Sequence, residues 1–257
     1  MKLIQGDCLE EMNKLIDEDV KVDLILTDIP YGTTNCKWDE IIPFPNMWDC
    51  IHGLVKERTP VLLFGNEPFS SLLRVSNLDE YKYDWVWNKM NSVNFANAKK
   101  MPLKPLEYIS VFYQKAPYYN PIRRKKTIDY DASRTSEADK QVRNHESEIN
   151  GTRYRRRYYI DDGTRYPINL LTYNNQKAEC NNSNRVHPTQ KPVALLEYFI
   201  KTYTREGDVV LDFTMGSGST GVAAKGLDRD FIGIELDPDY YDIAVSRIKN
   251  VQKKLVV

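Results

Sequence analysis

Residues 209–221, Val209-Val210-Leu211-Asp212-Phe213-Thr214-Met215-Gly216-Ser217-Gly218-Ser219-Thr220-Gly221, pass from a β-branched apolar run straight into a glycine turn and a helix start. Glycines let the backbone approach a ligand closely and a helix N-terminus offers free N–H groups, so this stretch commits the chain to a strand-turn-helix unit of an α/β sheet. Glu235 closes the next strand about twenty residues on, the spacing at which a carboxylate takes the two hydroxyls of a ribose. Together the two predict an adenosine-containing cofactor. Gly-x-Gly-x-x-Gly is also the dinucleotide fingerprint, which leaves the cofactor open at this point. Two observations speak against a nicotinamide: only two strands bracket the turn, and nothing upstream resembles a hydride-transfer constellation.

A second apolar run, Val22-Asp23-Leu24-Ile25-Leu26, ends in Thr27-Asp28-Ile29-Pro30-Tyr31. This reads as a buried strand closed by a stiff turn, with Asp28 and Tyr31 presented at the edge where open α/β sheets bind ligands. Strands are also expected at 1–6, 60–64, 83–87, 107–113 and 231–235, which makes seven. Helical spacing marks 8–17, 47–58 and 67–76, the stretch after Thr189 and Pro192, the stretch from the glycine turn to about Lys225, and the segment starting at Asp237-Pro238. The alternation argues for a doubly wound, mainly parallel sheet, with 83–87 and 107–113 able to pair antiparallel around a loop carrying Lys99, Lys100 and Lys104.

From Ala116 to about Arg185 apolar periodicity fades and Asn, Arg and Tyr dominate. The net charge of the chain is zero, yet residues 121–191 hold fifteen Lys and Arg against nine Asp and Glu, a local excess of six positive charges. The runs Arg123-Arg124-Lys125-Lys126 and Arg153-Tyr154-Arg155-Arg156-Arg157-Tyr158-Tyr159 interleave cations with aromatics, which suits phosphate binding and base stacking as well as a solvated face. The four cysteines and three histidines neither pair nor cluster, so no metal site or disulfide framework is expected and the thiols are read as reduced. No apolar stretch approaches the eighteen or so residues that span a bilayer and the start lacks a signal-peptide core, so a cytoplasmic protein is expected.

Three motifs in one order, Asp28-Ile29-Pro30-Tyr31, then His187-Pro188-Thr189-Gln190-Lys191-Pro192, then Asp212-Phe213-Thr214-Met215-Gly216-Ser217-Gly218, resemble the amino-group DNA methyltransferases, in the order of their circularly permuted β class. The likeness covers nearly the whole chain. It implies S-adenosylmethionine as cofactor and a seven-stranded, Rossmann-like methyltransferase sheet. Residues 1–115 and 187–257 would be its catalytic and cofactor-binding halves, and 116–186 an inserted target-recognition region. It also implies double-stranded DNA as partner, contacted by Arg123, Arg124, Arg153, Arg155, Arg156 and Arg157. The implied cofactor-binding set is Asp7, Asp28, Lys191, Asp212, Thr214, Gly216, Gly218, Thr220 and Glu235. Among these, Asp7 matches the acidic residue near the adenine, Glu235 the ribose carboxylate, and Lys191 the position that helps hold the methionine end. Taken singly, Asp7 also reads as a helix cap, Glu235 as a solvated strand end and Lys191 as a surface lysine.

The implied chemistry suits the residues. An exocyclic amine is a poor nucleophile because its lone pair is delocalised, so the site must draw on its hydrogens. Asp28 can accept one N–H and the Ile29 carbonyl the other, Pro30 stiffens the turn and Tyr31 can stack on a base that has left the duplex. The family's first tetrad proline is Ile29 here and its Asp-Pro-Phe is Asp212-Phe213-Thr214. Asp at the first tetrad position goes with adenine N6 in the family, which makes that the leading reading. Cytosine N4 and a catalytically silent DNA-binding homologue are the alternatives, while the Pro-Cys nucleophile of cytosine-C5 enzymes is absent. Whether the chain is a monomer or a homodimer, and whether a restriction enzyme accompanies it, stays open on sequence.

Overall fold

The structure is a computed structural model describing residues 1–32, 40–93, 98–126, 146–149, 152–155, 163–174 and 190–251. These divide into two compact units, Met1–Asn120 with Asn169–Val257, and Pro121–Ile168.

The first unit is built on β1 (Lys2–Gln5), α1 (Cys8–Asp17), β2 (Leu24–Thr27), α2 (Phe44–Leu54), β3 (Val61–Gly65), α3 (Phe69–Ser76), β4 (Tyr81–Val93) and β5 (Lys104–Phe112). After the second unit's short ribbons, β6 (Arg124–Lys125) with β9 (Thr164–Arg165) and β7 (Glu146–Ile149) with β8 (Thr152–Arg155), the chain returns as β10 (Leu170–Thr172), α4 (Val193–Tyr203), β11 (Val209–Asp212), α5 (Ser219–Gly226), β12 (Asp230–Glu235) and α6 (Pro238–Lys249). One sheet orders its strands β1-β12-β11-β2-β3-β5-β4-β10. Only β5 runs against its neighbours.

From β2 the chain proceeds to β3 on one side, and from β11 to β12 on the other. The β2/β11 boundary is therefore the sheet's switch point, where the loops after both strands leave a crevice at their carboxyl ends.

The parity of the strands explains why the sheet is covered on both faces. Leu24 and Leu26 join a core with Phe199 of α4, Ala223 of α5 and Ile248 of α6, while Ile25 joins a second with Met12 of α1, Ile51 of α2 and Leu73 of α3. Strands buried on both faces read as continuous apolar runs, as 24–26 and 209–211 do. Local chemistry fixes the helix starts. The Asp7 carboxylate accepts from the amides of Leu9 (2.9 Å) and Glu10 (3.1 Å) to open α1, and Asp237 with Pro238 opens α6.

The sheet thus has the seven expected strands and an eighth, β10, drawn from the polar stretch. Three residues on the sheet edge need only the β4 ladder to hold them and carry no periodicity to betray them. No helix among the described residues is long and apolar enough to cross a membrane.

Candidate active site

Asp28 follows β2 directly, at the switch point. Its Oδ1 accepts the Tyr31 hydroxyl at 2.5 Å and its Oδ2 the Lys191 ammonium at 2.6 Å. Tyr31 is braced from the other side by Phe69, with ring centroids 5.1 Å apart. Ile29 is buried at 3% exposure in the core that contains Phe69 and Phe213. Packing therefore anchors the turn where the family has a proline ring, and the Ile29 side chain faces away from solvent while Pro30 is half-buried.

Lys191 is no surface lysine. Its ammonium also lies 2.8 Å from Glu107 Oε1 and 5.1 Å from the centroid of the Phe64 ring, and Lys89 holds the other Glu107 oxygen at 3.3 Å. Asp28, Tyr31, Lys89, Glu107 and Lys191 thus form one network of two carboxylates, two ammoniums and a phenol. Burial is the largest influence on Asp28 and lifts its pKa; Lys191 pulls it back and Glu107 adds to the lift, leaving it above the usual carboxylate range. For Glu107, burial is outweighed by Lys191 and Lys89, and the carboxyl titrates below its ordinary value. Burial would discharge Lys191, but Asp28 and Glu107 outweigh it and raise its pKa. Burial, then the nearby Asp28, push the Tyr31 phenol well above 10, so it donates as a neutral hydroxyl.

Sequence reading missed Lys89 and Glu107, although a signal was there. Trp85, Trp87 and Lys89 share one parity of β4, and Glu107, Ile109 and Val111 one parity of β5; all six are buried. A charged residue continuing the inward parity of apolar neighbours points to a buried pair.

Behind Asp28 lies the end of β11. Asp212, 3% exposed, accepts the Thr27 hydroxyl at 2.7 Å and the Thr214 amide at 3.2 Å, with the Thr220 side chain also bonded to it. Burial raises its pKa to about 6 against these bonds. The Thr27 and Thr214 hydroxyls share a 2.7 Å hydrogen bond, and Thr214 donates to the Asp28 carbonyl at 3.2 Å. Thr214 thereby ties the glycine turn to the Asp28 turn. Gly216 and Gly218 have φ of +52° and +78°, which glycine adopts without strain. A Cβ on Gly216 would meet nothing within 4 Å, so the turn opens onto free space.

Glu235 accepts the Gly216 amide on Oε2 (2.7 Å) and the Asp237 amide on Oε1 (2.9 Å), and burial raises its pKa. Parallel pairing of Gln5 with Glu235 brings exposed Asp7 to the same edge. Asp7 is a helix cap, and carboxylate lone pairs remain beyond the two capping amides. The first unit therefore brings together Asp7, Asp28, Ile29, Pro30, Tyr31, Lys191, Asp212, Thr214, Gly216, Gly218, Thr220 and Glu235 along one carboxyl edge.

In the second unit, Arg123 donates to the Thr164 hydroxyl (2.5 Å) and lies 4.9 Å from the centroid of the exposed Tyr166 ring. Arg124 pairs with Arg165 in the β6–β9 ribbon. The β7–β8 register sets Glu146 opposite Arg155 and Glu148 opposite Arg153, with Asn150-Gly151, a hairpin signature in sequence, between the strands. Arg156, Arg157 and His187-Pro188-Thr189 lie outside the described residues.

A parallel-dominated sheet with a carboxylate and a glycine turn at its switch point, and an acid at the end of the next strand, is the architecture of a protein that takes an adenosine-containing cofactor. The chain belongs to the N6/N4 methyltransferase family of DNA methylases, whose family model matches residues 22–246. It is 26% identical over 260 residues to the Type II methyltransferase M.HpaI of Haemophilus parainfluenzae, covering 96% of this chain and 74% of that one. The M1.HpyAVI–S-adenosylmethionine complex superposes with a TM-score of 0.63 at 24% identity, over 96% of this chain and 98% of the other. The cytosine-N4-specific PvuII DNA methyltransferase does so with a TM-score of 0.65 at 16% identity, over 97% and 87%. At these identities the two structures speak to the fold alone.

The methyl donor of the family is S-adenosylmethionine, and the residues present fit it: open space over Gly216, a carboxylate with spare lone pairs at Glu235, and Asp7 on the adjoining strand.

Proposed function

We propose that this chain is a site-specific adenine-N6 methyltransferase acting on double-stranded DNA, as a Type II modification enzyme. The observation that carries the reading is the Asp28 carboxylate, held by the Tyr31 hydroxyl and the Lys191 ammonium at the switch point beside the glycine turn.

Bound S-adenosylmethionine supplies a methyl carbon made electrophilic by its sulfonium. Glu235 and Asp7 would hold its adenosine and the Gly216–Gly218 turn would admit it beside the backbone, while Asp212, Thr214 and Thr220 keep that turn in place. Lys191 has three donors and two acceptors among the described residues; the third donor is assigned to the carboxylate of the methionine end. Asp28 accepts one N–H of the adenine amine and the Ile29 carbonyl the other, which draws the two hydrogens out of the ring plane and localises the nitrogen lone pair, otherwise delocalised into the ring. The proton that the amine loses on alkylation passes to Asp28 and then to water.

No covalent nucleophile is needed; alignment and fixed charges lower the barrier. The base must leave the duplex, at a cost of a few kcal/mol that stacking on the Tyr31 ring helps offset. Residues 116–186 serve as the target-recognition region, with Arg123, Arg124, Arg153, Arg155, Arg156 and Arg157 on phosphates.

The test is incubation of the purified chain with duplex DNA and methyl-labelled S-adenosylmethionine, followed by digestion to nucleosides and mass spectrometry. Label in N6-methyl-2′-deoxyadenosine supports the reading. Label in N4-methylcytosine keeps the acceptor chemistry, since that amine offers the same two hydrogens, and corrects the base.

A further inference from the structure

Glu107 has no part in the reaction as just described, yet it is only 4% exposed on a face of β5 whose other inward residues, Ile109 and Val111, are apolar. Burying a charge there costs several kcal/mol before any partner is found, and an apolar residue of similar volume often serves stability as well or better. Its partners are specific. Oε1 takes the Lys191 ammonium at 2.8 Å, Oε2 takes Lys89 at 3.3 Å, and the Tyr31 hydroxyl lies 3.5 Å from Oε1. Lys89 reaches it diagonally across the β4–β5 ladder, where Trp87 is the residue opposite Glu107. Both carboxylate oxygens are thus engaged, which fixes the plane of the group and, through it, the position of the Lys191 ammonium.

We propose that Glu107 is a positioning residue for methyl transfer: it shares the Lys191 ammonium with Asp28, so that Lys191 aims the Asp28 carboxylate without fully neutralising it. This rests on the reading of Asp28 as acceptor of the amine hydrogens. Two anions and two cations make the network neutral. Remove the charge of Glu107 and Asp28 faces Lys191 alone, with Lys89 uncompensated behind it. A carboxylate so strongly paired is a weaker acceptor and a weaker base. The groups that act on Asp28 are Tyr31 on its own turn, Lys191 ahead of α4, Glu107 on β5 with Lys89 behind it on β4, and Asp212 at the end of β11. Of these, only Glu107 and Lys89 can be altered without touching a residue assigned above to base or cofactor.

The test is the pH–rate profile of the methyl-transfer step, measured in single turnover on the full chain with duplex DNA. The wild type shows an acidic limb from protonation of Asp28. Glu107→Gln removes a like charge from beside Asp28, so the limb moves to lower pH by about one unit. The plateau rate falls roughly ten- to a hundredfold as the aim is lost, with the KM for S-adenosylmethionine within about twofold of wild type. Lys89→Met leaves Glu107 and Asp28 with Lys191 as their shared cation, gives the network a net negative charge, and moves the limb the opposite way, to higher pH. Opposite shifts show that both charges reach Asp28, and the fall in plateau rate at a nearly unchanged KM separates a positioning residue from a purely structural one.

A limb that stays in place in whichever of the two variants binds cofactor overturns the inference. Loss of cofactor binding in both overturns it too, because the pair would then serve folding. A wild-type profile with no acidic limb overturns the reading of Asp28, and this inference with it.

Discussion

Replacing Asp212 by Asn should change how stability depends on pH, and the size of the change follows from the site. Asp212 is almost wholly enclosed, and burial raises its pKa from 3.8 to about 6 although three groups donate to it. A carboxyl whose pKa is higher in the folded than in the unfolded chain gives stability that is complete below the unfolded value and lost as pH rises through the folded one. The full cost of keeping Asp212 ionised in the fold is roughly 3 kcal/mol above pH 7. At pH 4.5 the unfolded carboxyl is mostly ionised and the folded one mostly protonated, which leaves a cost of about 1 kcal/mol.

Asn keeps an acceptor for the Thr27 hydroxyl and the Thr214 amide but carries no charge. The stability difference between Asp212→Asn and wild type should therefore be about 2 kcal/mol more in favour of the variant at pH 8 than at pH 4.5. Urea unfolding of both proteins across that range measures it. Apart from Asp28, on which Asp212 acts, the other carboxyls titrate in both proteins alike and cancel in the difference. A difference that does not vary with pH would refute the argument that burial dominates at Asp212.

Replacing Lys191 by Met leaves Asp28 and Glu107 facing each other without the ammonium between them. It should destabilise the chain by about 3 kcal/mol, the low end of the range for a broken buried pair because Asp28 is a quarter exposed and Glu107 keeps Lys89; thermal and urea unfolding read this out. Neutralising Arg123 and Arg124, or separately Arg155, Arg156 and Arg157, should weaken DNA binding. The slope of log affinity against log salt should flatten by up to about 0.9 for each phosphate that the protein no longer neutralises, and an unchanged slope would make that run a solvated face.

Much of this site could be read from the chain because its poles are local. Asp28 and Tyr31 follow one strand and Gly216 and Gly218 another, and strand-plus-turn patterns need only neighbouring residues. The charge network could not be read so directly. Lys89 and Glu107 look like polar positions of two strands until the β4–β5 pairing puts both on the inward face, where only the inward parity of Trp85, Trp87, Ile109 and Val111 hints at burial. Ile29 in place of the family's proline removes a ring that would stiffen the turn, and the core that closes on Ile29 supplies the anchoring instead. The eighth strand, β10, and the ribbons of residues 121–168 escaped because short strands at an edge or in a two-stranded ribbon bury too little to impose a pattern. In the sequence, Asn150-Gly151 is a local hairpin cue for one of the ribbons.

The most direct measurement is made in a host whose DNA carries no methylated bases. The wild-type chain and Asp28→Ala are expressed there, and the genomic nucleosides are analysed by mass spectrometry. The account predicts N6-methyladenine with the wild type and none with the variant, while the purified variant keeps most of its affinity for S-adenosylmethionine. N6-methyladenine at near-normal level from Asp28→Ala, or no modified base from the wild type, would contradict it.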